Sequence, residues 1–541
     1  MKRRTTYLQH PSAPFDPNQA RLSRSVLEIR DLKSAKEERF TVPVASSGSS
    51  SEGGLDDEIR DFLVNNVQRL DVRWATSSAD ADVGDELDGV TPFASRVSSG
   101  LHVYLTPGSK GLEGQGDGEL HHHNDDDKEA VCRVLRRVFG QEVHRCLDYE
   151  KSFTRSDVTA AYQYYAPVES LDGLATFIQE TVCGLTDAEC RRHARELLSA
   201  DSFDLSYDSS SRNLVMSAFW SEAPGPGWTE DLRAPAAGSA DKMEVGLLGA
   251  ERAADPLEIK MGGLLGVVGE DEKLKPTLFS FASRHHALPR EAFFSVAFPP
   301  PTGLHPTMTI SLSSAAWQRP PASPDATCAL HTYLTLPSHI FGDKYQLGTE
   351  YQLGTEDQLF LDSHHLVKLQ SVTGETDLEA PDWAVSQWGS NWLFEVATPA
   401  ANQHPEEWNV TIPLHLRYLH PSQSGYQSVA VPWPVVFWAC TASEEVKMHF
   451  NPFDRLNLGW EALFAPQTVF YQVHPSTAQK RLVEEVQVPV MKENGLFSST
   501  TIELGTVIAI ILGSLWVLWK LGAVMRGSAA RRRPDTQKKT Q

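Results

Sequence analysis

The chain has 541 residues, with 49 Lys and Arg against 70 Asp and Glu, and a net charge of −21. Such an acidic chain lacks the basic surface with which proteins displace counterions from phosphates, so we exclude nucleic-acid binding. Its length is sufficient for two or more domains with a sizeable core. Six cysteines, none in a C-x-x-C pair, indicate disulfides in an oxidising compartment, although the sequence leaves their pairing open.

Residues 1–223 are predicted to form an N-terminal α+β region with disordered loops. Apolar side chains at spacings of three and four residues predict amphipathic helices, and runs that alternate or are continuously apolar predict strands. The predicted helices are 55–70, 128–149 and 186–198, and the predicted strands are 40–44, 100–106 and 213–220. Residues 224–290 contain a Pro- and Gly-rich stretch, which we interpret as a linker with an uncertain domain boundary.

From residue 291 onwards short strand-like runs recur, separated by Pro and Gly. Strands at this spacing are typical of an antiparallel β-sandwich. We therefore expect a β-rich domain over residues 291–500, and a fold that is mostly β with some α. The runs are 293–298, 308–312, 330–336, 392–396, 410–419, 428–431, 435–440 and 468–473.

Residues 504–525 form an apolar stretch that carries one charge, Lys520. A helix of this length reaches about 33 Å, enough for the roughly 30 Å hydrocarbon core of a bilayer. Residues 526–541 carry six basic side chains and one acidic one, which leaves about −26 on the preceding 525 residues. Because positive charge beside a single span stays in the cytosol, we predict a cytosolic tail and a lumenal body.

The first residues, MKRRTTYLQH, are not followed by the apolar segment of a signal peptide. A lumenal body therefore requires that the C-terminal span itself directs insertion. The alternative is a tail-anchored protein whose body stays in the cytosol. The basic tail favours the first arrangement.

Three short motifs accompany this topology. Asn409 begins the N-x-S/T sequon of the chain and can carry a glycan if the body is lumenal. Lys538 and Lys539 are the fourth and third residues from the end, as in the dilysine signal that a retrieval coat reads on endoplasmic-reticulum (ER) membrane proteins. Small residues at Gly505, Ala509 and Gly513 recur every four positions and suit a face on which another transmembrane helix packs closely. The alternative is that small residues are simply common in spans and that the lumenal domain makes every contact with the partner.

Motifs of the common enzyme classes do not occur. The sequence holds no G-x-S-x-G, H-E-x-x-H, P-loop or dinucleotide fingerprint. Acidic clusters over residues 80–88 resemble metal-binding motifs of glycosyltransferases, but they lie in an Asp-rich segment without helix or strand periodicity. We therefore predict a protein that is not an enzyme and that has no cofactor, catalytic residue or metal site.

The densest pattern is PLHLRYLHPSQSGYQSVAVPWPVVFWAC, residues 413–440. Alternation predicts that Leu414, Leu416 and Tyr418 share one face of a strand and that His415 and Arg417 share the other. With His420, the latter two could form a site, or they could be the polar face of an ordinary strand. Prolines at 432 and 434 predict an edge or a bulge, and the apolar run after them predicts a strand covered on both faces.

The 26 residues from His415 resemble the signature of the PIG-X family, which includes fungal members. Gly303 to Pro306 (GLHP), residues 330–347 and the single C-terminal span match the family as well, so the resemblance covers roughly 291–525. A long N-terminal extension is similar to fungal members. The matching signature positions are His415, Arg417, Tyr418, Gly425, Tyr426, Pro432, Pro434 and Cys440.

The resemblance implies a single-pass protein of the ER membrane that has no catalytic residues of its own. It would stabilise the multispanning catalytic subunit of GPI mannosyltransferase I, which adds the first mannose to the glycosylphosphatidylinositol (GPI) precursor. The alternative is a general lumenal folding factor or cargo receptor for membrane proteins. The two differ in the range of partners, which co-purification would reveal.

Overall fold

The structure of the chain is a computed structural model. The residues that it describes are 1–9, 16–44, 56–78, 97–108, 125–156, 158, 161–183, 187–236, 238–253, 255, 257–300, 302–322, 326–348, 355–400, 402–442, 458–494 and 498–530. The loops predicted to be disordered fall mainly between these ranges and lie outside the described residues.

The fold is mostly β, as predicted, with 43% of residues in strands and 22% in helices. The described helices are α1 Asp57–Asn66, α2 Asp125–Phe139, α3 Tyr149–Ser152, α4 Asp172–Phe177, α5 Ala188–Glu196, α6 Thr355–Ser363 and α7 Ser499–Ala530. The strands up to residue 287 are β1 Lys2–Gln9, β2 Ala20–Leu22, β3 Val26–Leu32, β4 Ala35–Pro43, β5 Val67–Ala75, β6 Gly100–Pro107, β7 Thr154–Arg155, β8 Tyr162–Ala166, β9 Ser202–Asp208, β10 Asn213–Trp220, β11 Trp228–Arg233, β12 Lys242–Glu251, β13 Glu258–Val267, β14 Lys275–Ala282 and β15 His285–Ala287.

The remaining described strands are β16 Phe293–Ala297, β17 Thr307–Ser313, β18 Cys328–Pro337, β19 Ile340–Phe341, β20 Leu366–Gly374, β21 Gly389–Val396, β22 Glu407–Pro413, β23 His415–Leu416, β24 Tyr426–Pro432, β25 Val435–Thr441, β26 Thr468–Gln472, β27 His474–Pro475 and β28 Val483–Pro489. The predicted strand runs from residue 293 onwards all fall on these strands. One run, 410–419, extends past the last strand residue, Leu416, because the chain turns away at Arg417.

The first half of the chain builds an 11-stranded sheet in the order β14-β13-β12-β1-β4-β10-β9-β5-β6-β8-β7. The N-terminal strand β1 lies inside this sheet, antiparallel to β4 on one side and parallel to β12 on the other. Its partner β12 begins at Lys242, so this part of the sheet forms only when residues that are far apart in the sequence pair with each other. A buried core of apolar residues from these strands and from α1 and α2 packs on the sheet.

The segment 224–290, predicted as a linker or uncertain boundary, differs in the structure. It forms β11 to β15, and three of these strands extend the 11-stranded sheet beyond β1. Met243, Val245 and Leu247 alternate along β12 and are buried. Its Pro- and Gly-rich parts are connections between strands, so the segment belongs to the folded sheet.

All three helices predicted in the first half of the chain differ at their ends. The helix predicted over 128–149 is α2, which ends at Phe139 and is followed by a 3-10 turn over Gly140–Val143. The helix predicted over 55–70 ends at Asn66, and Val67 to Leu70 begin β5. Pairing with β6 and β9 inside the sheet determines the conformation here in preference to helical spacing. The helix predicted over 186–198 is α5, capped by the side chain of Asp187, which accepts a hydrogen bond from the Cys190 amide.

Most of the second half of the chain forms two sheets. One has six strands in the order β15-β26-β25-β18-β21-β20, and the other has four in the order β22-β17-β16-β27. After β26 only Val473 separates the chain from β27, which lies in the other sheet. Strands that pass between sheets in this way are typical of β-sandwich corners. Two strand pairs, β15 with β26 and β16 with β27, are parallel, whereas the sandwich was predicted as antiparallel.

The chain divides into two compact units. The main unit contains Met1–Arg417 and Ala430–Val486, and the small unit contains Tyr418–Val429 and Gln487–Gln541. Inside the main unit the two halves of the sequence are in contact. Trp388 donates through Nε1 to the Gln163 carbonyl at 2.9 Å, and its ring packs against Tyr165.

All six cysteines are paired. Cys132 is bonded to Cys146, Cys183 to Cys190, and Cys328 to Cys440. The third bond joins directly opposed residues of β18 and β25 in the centre of the six-stranded sheet. Disulfides persist in oxidising compartments, so these pairs indicate a lumenal or extracellular environment.

The apolar segment predicted to span a membrane lies in α7. Its stretch Thr500–Arg526 has a mean hydropathy of 2.1 and is long enough to cross a bilayer. Along this stretch the side chains are exposed, apart from a half-buried Gly522. An apolar helix without a protein partner around it is a candidate membrane span.

Candidate functional site

The PIG-X-like segment is divided between the two units. His415 and Leu416 form β23, which pairs with β19. Arg417 ends the first part of the main unit, and Tyr418 begins the small unit. The prediction placed Leu414, Leu416 and Tyr418 on one face of a strand; the two leucines are buried, whereas Tyr418 lies beyond the end of β23 and is 66% exposed.

Arg417 is the most constrained side chain of this segment. It is only 2% exposed, so it does not lie on a solvated polar face. Its Nε donates to the Ser338 carbonyl at 2.9 Å, and its Nη1 donates to the carbonyls of Ala380 (2.8 Å) and Asp377. The guanidinium lies 4.1 Å from the ring centre of Phe341. Burial lowers the pKa of Arg417 from its usual value, and the contacts with carbonyls and the ring compensate part of the cost of burying the charge.

The carboxylate of Asp382 lies near Arg417 and is held by several hydrogen-bond donors. Asp382 accepts hydrogen bonds from Ser338 Oγ at 2.6 Å, from His339 Nδ1 at 3.3 Å, and from the Arg145 guanidinium. Burial raises the pKa of Asp382, but the hydrogen bonds from His339, Arg145 and Ser338 outweigh it, so the pKa is well below its usual range. Since Arg145 precedes α3 and Asp382 belongs to the second half, the pair ties the two halves of the main unit together.

His415 contacts residues of the main unit, and whether it forms a site with Arg417 and His420 stays a prediction. Its ring stacks on Phe341, and its Nδ1 lies 3.0 Å from Nδ1 of His305, within the GLHP stretch. Burial, and then the neighbouring His305, lower the pKa of His415. Among the described residues no group of three or more potential metal ligands occurs. His420 is exposed and belongs to the small unit.

Pro432 is the last residue of β24, and Pro434 lies in the two-residue connection to β25, so both prolines are at the ends of strands, where a missing N–H group is tolerated. The intervening Trp433 is 3% exposed, and its ring lies 5.6 Å from that of Phe294. It lines a cleft of about 210 Å³ with Val97 and Leu482. Ligand pockets measure roughly 300–1,000 Å³, so this cleft is smaller than a typical ligand pocket. Its size favours a packing role for Pro432, Trp433 and Pro434.

Cys440 ends the segment inside the core. It is 2% exposed, and its disulfide to Cys328 holds β25 against β18. The run from Val435 is covered by a neighbouring strand on each side, β26 and β18. Val436 to Cys440 are buried in succession, so the prediction that both faces of this strand are covered is confirmed.

Gly425 and Tyr426 belong to a turn in the small unit, with the backbone of Gly425 at a φ of +83°. The positive φ favours glycine, and the flexible side chain of Lys492 covers the position, 2.9 Å from where a Cβ would lie. Tyr426, the next residue, is 57% exposed. The turn therefore presents an aromatic side chain to its surroundings.

The other predicted positions lie apart from this segment. Asn409 is exposed on β22, and its Oδ1 accepts a hydrogen bond from Ser311 at 2.6 Å. Gly505, Ala509 and Gly513 lie on α7, and no atom lies within 4 Å of a Cβ built at either glycine. Lys538 and Lys539 lie outside the described residues. Whether these positions act as proposed stays a prediction.

Sequence reasoning missed the residues that surround Arg417. Ser338, Phe341, Asp377 and Asp382 come from a loop and a short strand some 40 to 80 positions earlier, with no periodic pattern to mark them. One signal was available. A lone arginine between two apolar residues in a strand-like run requires buried acceptors if the strand is covered.

Two buried histidines are the other titratable groups of note in the main unit. His102 on β6 is 1% exposed, and burial lowers its pKa to about 4 although the Ser98 carbonyl accepts a hydrogen bond from it. His331 on β18 lies against the Phe437 ring, and burial lowers its pKa to about 4 as well. Both are neutral in the folded protein at neutral pH.

Comparison with known proteins gives a consistent result over the whole length. The PIG-X / PBN1 family model matches residues 301–522. "Protein pbn1" of Emericella nidulans is 52% identical over 98% of this chain and 97% of its own. The protein of the same name from Neurospora crassa is 34% identical over 99% and 98%. "Protein PBN1" of Yarrowia lipolytica is 27% identical over 89% and 88%.

Proposed function

The chain belongs to the PIG-X/PBN1 family, and from this premise we propose that it is a non-catalytic subunit of GPI mannosyltransferase I. In this role it binds the multispanning catalytic subunit in the ER membrane and prevents its degradation. The catalytic subunit then adds the first mannose to the GPI precursor.

The observation that carries the proposal is the environment of the side chains that make up the family signature. Three of its side chains capable of chemistry are engaged by other residues of the protein: Arg417 by three carbonyls, Cys440 by a disulfide, and His415 by Phe341 and His305. Residues that form such contacts within the protein stabilise its fold. A protein that works through its surface and its span suits the role of an accessory subunit.

Depletion of the chain tests this function. We expect the half-life of the catalytic mannosyltransferase to fall several-fold, while an unrelated multispanning ER protein, measured as a control, keeps its half-life. Parallel loss of many membrane proteins would favour the general folding factor instead. Unchanged turnover of the mannosyltransferase would contradict the stabilising role.

We place the main unit in the ER lumen and the C-terminus in the cytosol. The basic residues after α7 and the three disulfides both support this orientation. In sealed microsomes the body should resist protease, and Asn409→Gln should remove one glycan-dependent mobility shift. Digestion of the body without detergent would overturn the orientation.

Retention in the ER would involve Lys538 and Lys539, which the cytosolic orientation exposes to the retrieval coat. Replacing both with Ser should allow the protein to reach the Golgi. Continued ER residence of this variant would instead assign retention to the partner.

A further inference from the structure

The small unit presents large apolar side chains to its surroundings close to the segment that leads into α7. Tyr418 is 66% exposed, Tyr426 is 57% exposed and Met491 is 43% exposed. All three belong to the same unit as α7. Exposed aromatic residues grouped in this way mark a surface that meets a partner or a membrane.

Backbone hydrogen bonds hold the turn against the chain that enters α7. The Ser422 amide donates to the Met491 carbonyl and the Glu493 amide donates to the Ser422 carbonyl, both at 3.0 Å. The Val490 amide donates to the Gly425 carbonyl at 2.9 Å. The side chain of Lys492, an exposed residue, lies over Gly425. We call residues 418–426 with 490–493 the turn platform.

Chain length keeps the turn platform near the start of α7. It ends at Glu493 and α7 begins at Ser499, so six steps of at most about 3.5 Å each separate them by no more than roughly 20 Å. The first residues of α7, up to Glu503, are polar or mixed, and the continuous apolar stretch starts at Leu504. The helix therefore enters the hydrocarbon core close to the turn platform.

We propose that the turn platform lies in the lipid headgroup layer of the lumenal leaflet, with Tyr418 and Tyr426 as interfacial anchors. The proposal rests on α7 crossing the membrane, as proposed above. Tyrosine suits this layer because its ring enters the apolar boundary while its hydroxyl remains hydrated. The Lys492 ammonium is suited to lipid phosphates, and its stem to the apolar boundary.

A spin label at the apex of the turn tests the proposal. All six native cysteines are in disulfides, so a single cysteine introduced as Gln423→Cys can be labelled with a nitroxide in the full-length protein. The exposed Gln423 leaves both tyrosines in place. The protein is reconstituted without other proteins into phosphatidylcholine nanodiscs. The rate at which the nitroxide collides with a water-soluble nickel chelate is then compared with the rate at which it collides with oxygen.

Two further labels give reference values for access of the nickel chelate, one at an exposed position and one within the span. Tyr345→Cys replaces a tyrosine of the main unit that is 64% exposed, and Ser514→Cys places the label in the middle of the span. We expect the label at 423 to meet the nickel chelate several-fold less often than the label at 345. In a background with Tyr418→Ser and Tyr426→Ser, this protection should be lost.

The outcomes separate the possible errors. Equal nickel access at 423 and 345, with a protected label at 514, would overturn the interfacial platform and leave the span intact. Access of the nickel chelate to the label at 514 would overturn both the interfacial platform and the membrane span. Protection at 423 that arises only when the mannosyltransferase is added would identify a protein contact in place of lipid and also overturn the proposal.

Discussion

Arg417 and Tyr418 are neighbours in the sequence and opposites in the structure. Arg417 is 2% exposed and is surrounded by carbonyls and an aromatic ring, whereas Tyr418 is 66% exposed. The same contrast separates the two units. The main unit buries even charged groups such as Lys36, which bonds to Glu230, while the small unit exposes tyrosines and an apolar helix. The contrast agrees with the proposal that the small unit meets the membrane.

The largest effect should follow from removing the disulfide of the six-stranded sheet. Cys328 and Cys440 are 112 residues apart, and closing so long a loop is worth about 4–5 kcal/mol in the chain-entropy model. Cys328→Ser with Cys440→Ser should therefore lower the free energy of unfolding of the main unit by about that amount in a urea titration.

The matched control is the disulfide between Cys183 and Cys190, which closes a separation of only 7 residues. Removing it should cost about half as much in the same model. Equal losses from the two removals would show that loop length does not determine the contribution.

The contrast at the unit boundary gives the second prediction. Arg417→Met keeps most of the volume but leaves the carbonyls of Ser338, Asp377 and Ala380 without their donor, so we expect a loss of about 3 kcal/mol. Tyr418→Ser, one position later, should change the stability by less than about 0.5 kcal/mol because its side chain is exposed. Comparable losses in the two variants would contradict the division drawn here.

How far the sequence predicts this division depends on the kind of contact. A continuously apolar run predicted β25 correctly, and length and hydropathy predicted the span in α7, because both signals are local. The strands of 224–290 were missed because their Pro and Gly connections resemble a linker. The cage around Arg417 could not be predicted, since Ser338 and Asp382 approach it only through the tertiary fold.

Acidification should weaken the main unit through its buried histidines. The folded-state pKa of His102 and of His331 is about 4, below the unfolded value of about 6.5. Since the unfolded chain then binds protons first, stability is complete above pH 6.5, falls as the pH drops to 4, and levels off below that value. The loss is at most about 3 kcal/mol for each histidine.

Unfolding midpoints measured between pH 7 and pH 4 test this dependence. His102→Gln with His331→Gln should flatten the pH profile even though the variant is less stable at pH 7. Tyr418→Ser, which removes no group that titrates in this range, should keep the slope of the unchanged protein. A slope that survives the double histidine change would assign the acid sensitivity to other groups.

The smallest effect on the main unit should come from the span. Ala509→Leu with Gly513→Leu fills the small-residue face of α7 but leaves the helix apolar, so the unfolding of the main unit should change by less than about 0.5 kcal/mol. A clear loss of stability would show that the main unit depends on this face. Val507→Leu with Ile511→Leu changes the opposite face of the helix and is the control.

The most direct test of the proposed function is quantitative co-purification of the full-length chain in mild detergent. We expect a single multispanning partner at near-equal stoichiometry, the catalytic mannosyltransferase, which is lost in the Ala509→Leu, Gly513→Leu variant and retained in the Val507→Leu, Ile511→Leu control. Many substoichiometric partners would contradict the role of a dedicated subunit. A partner that remains bound to both variants and is lost only when the main unit is altered would contradict recognition through the small-residue face of α7.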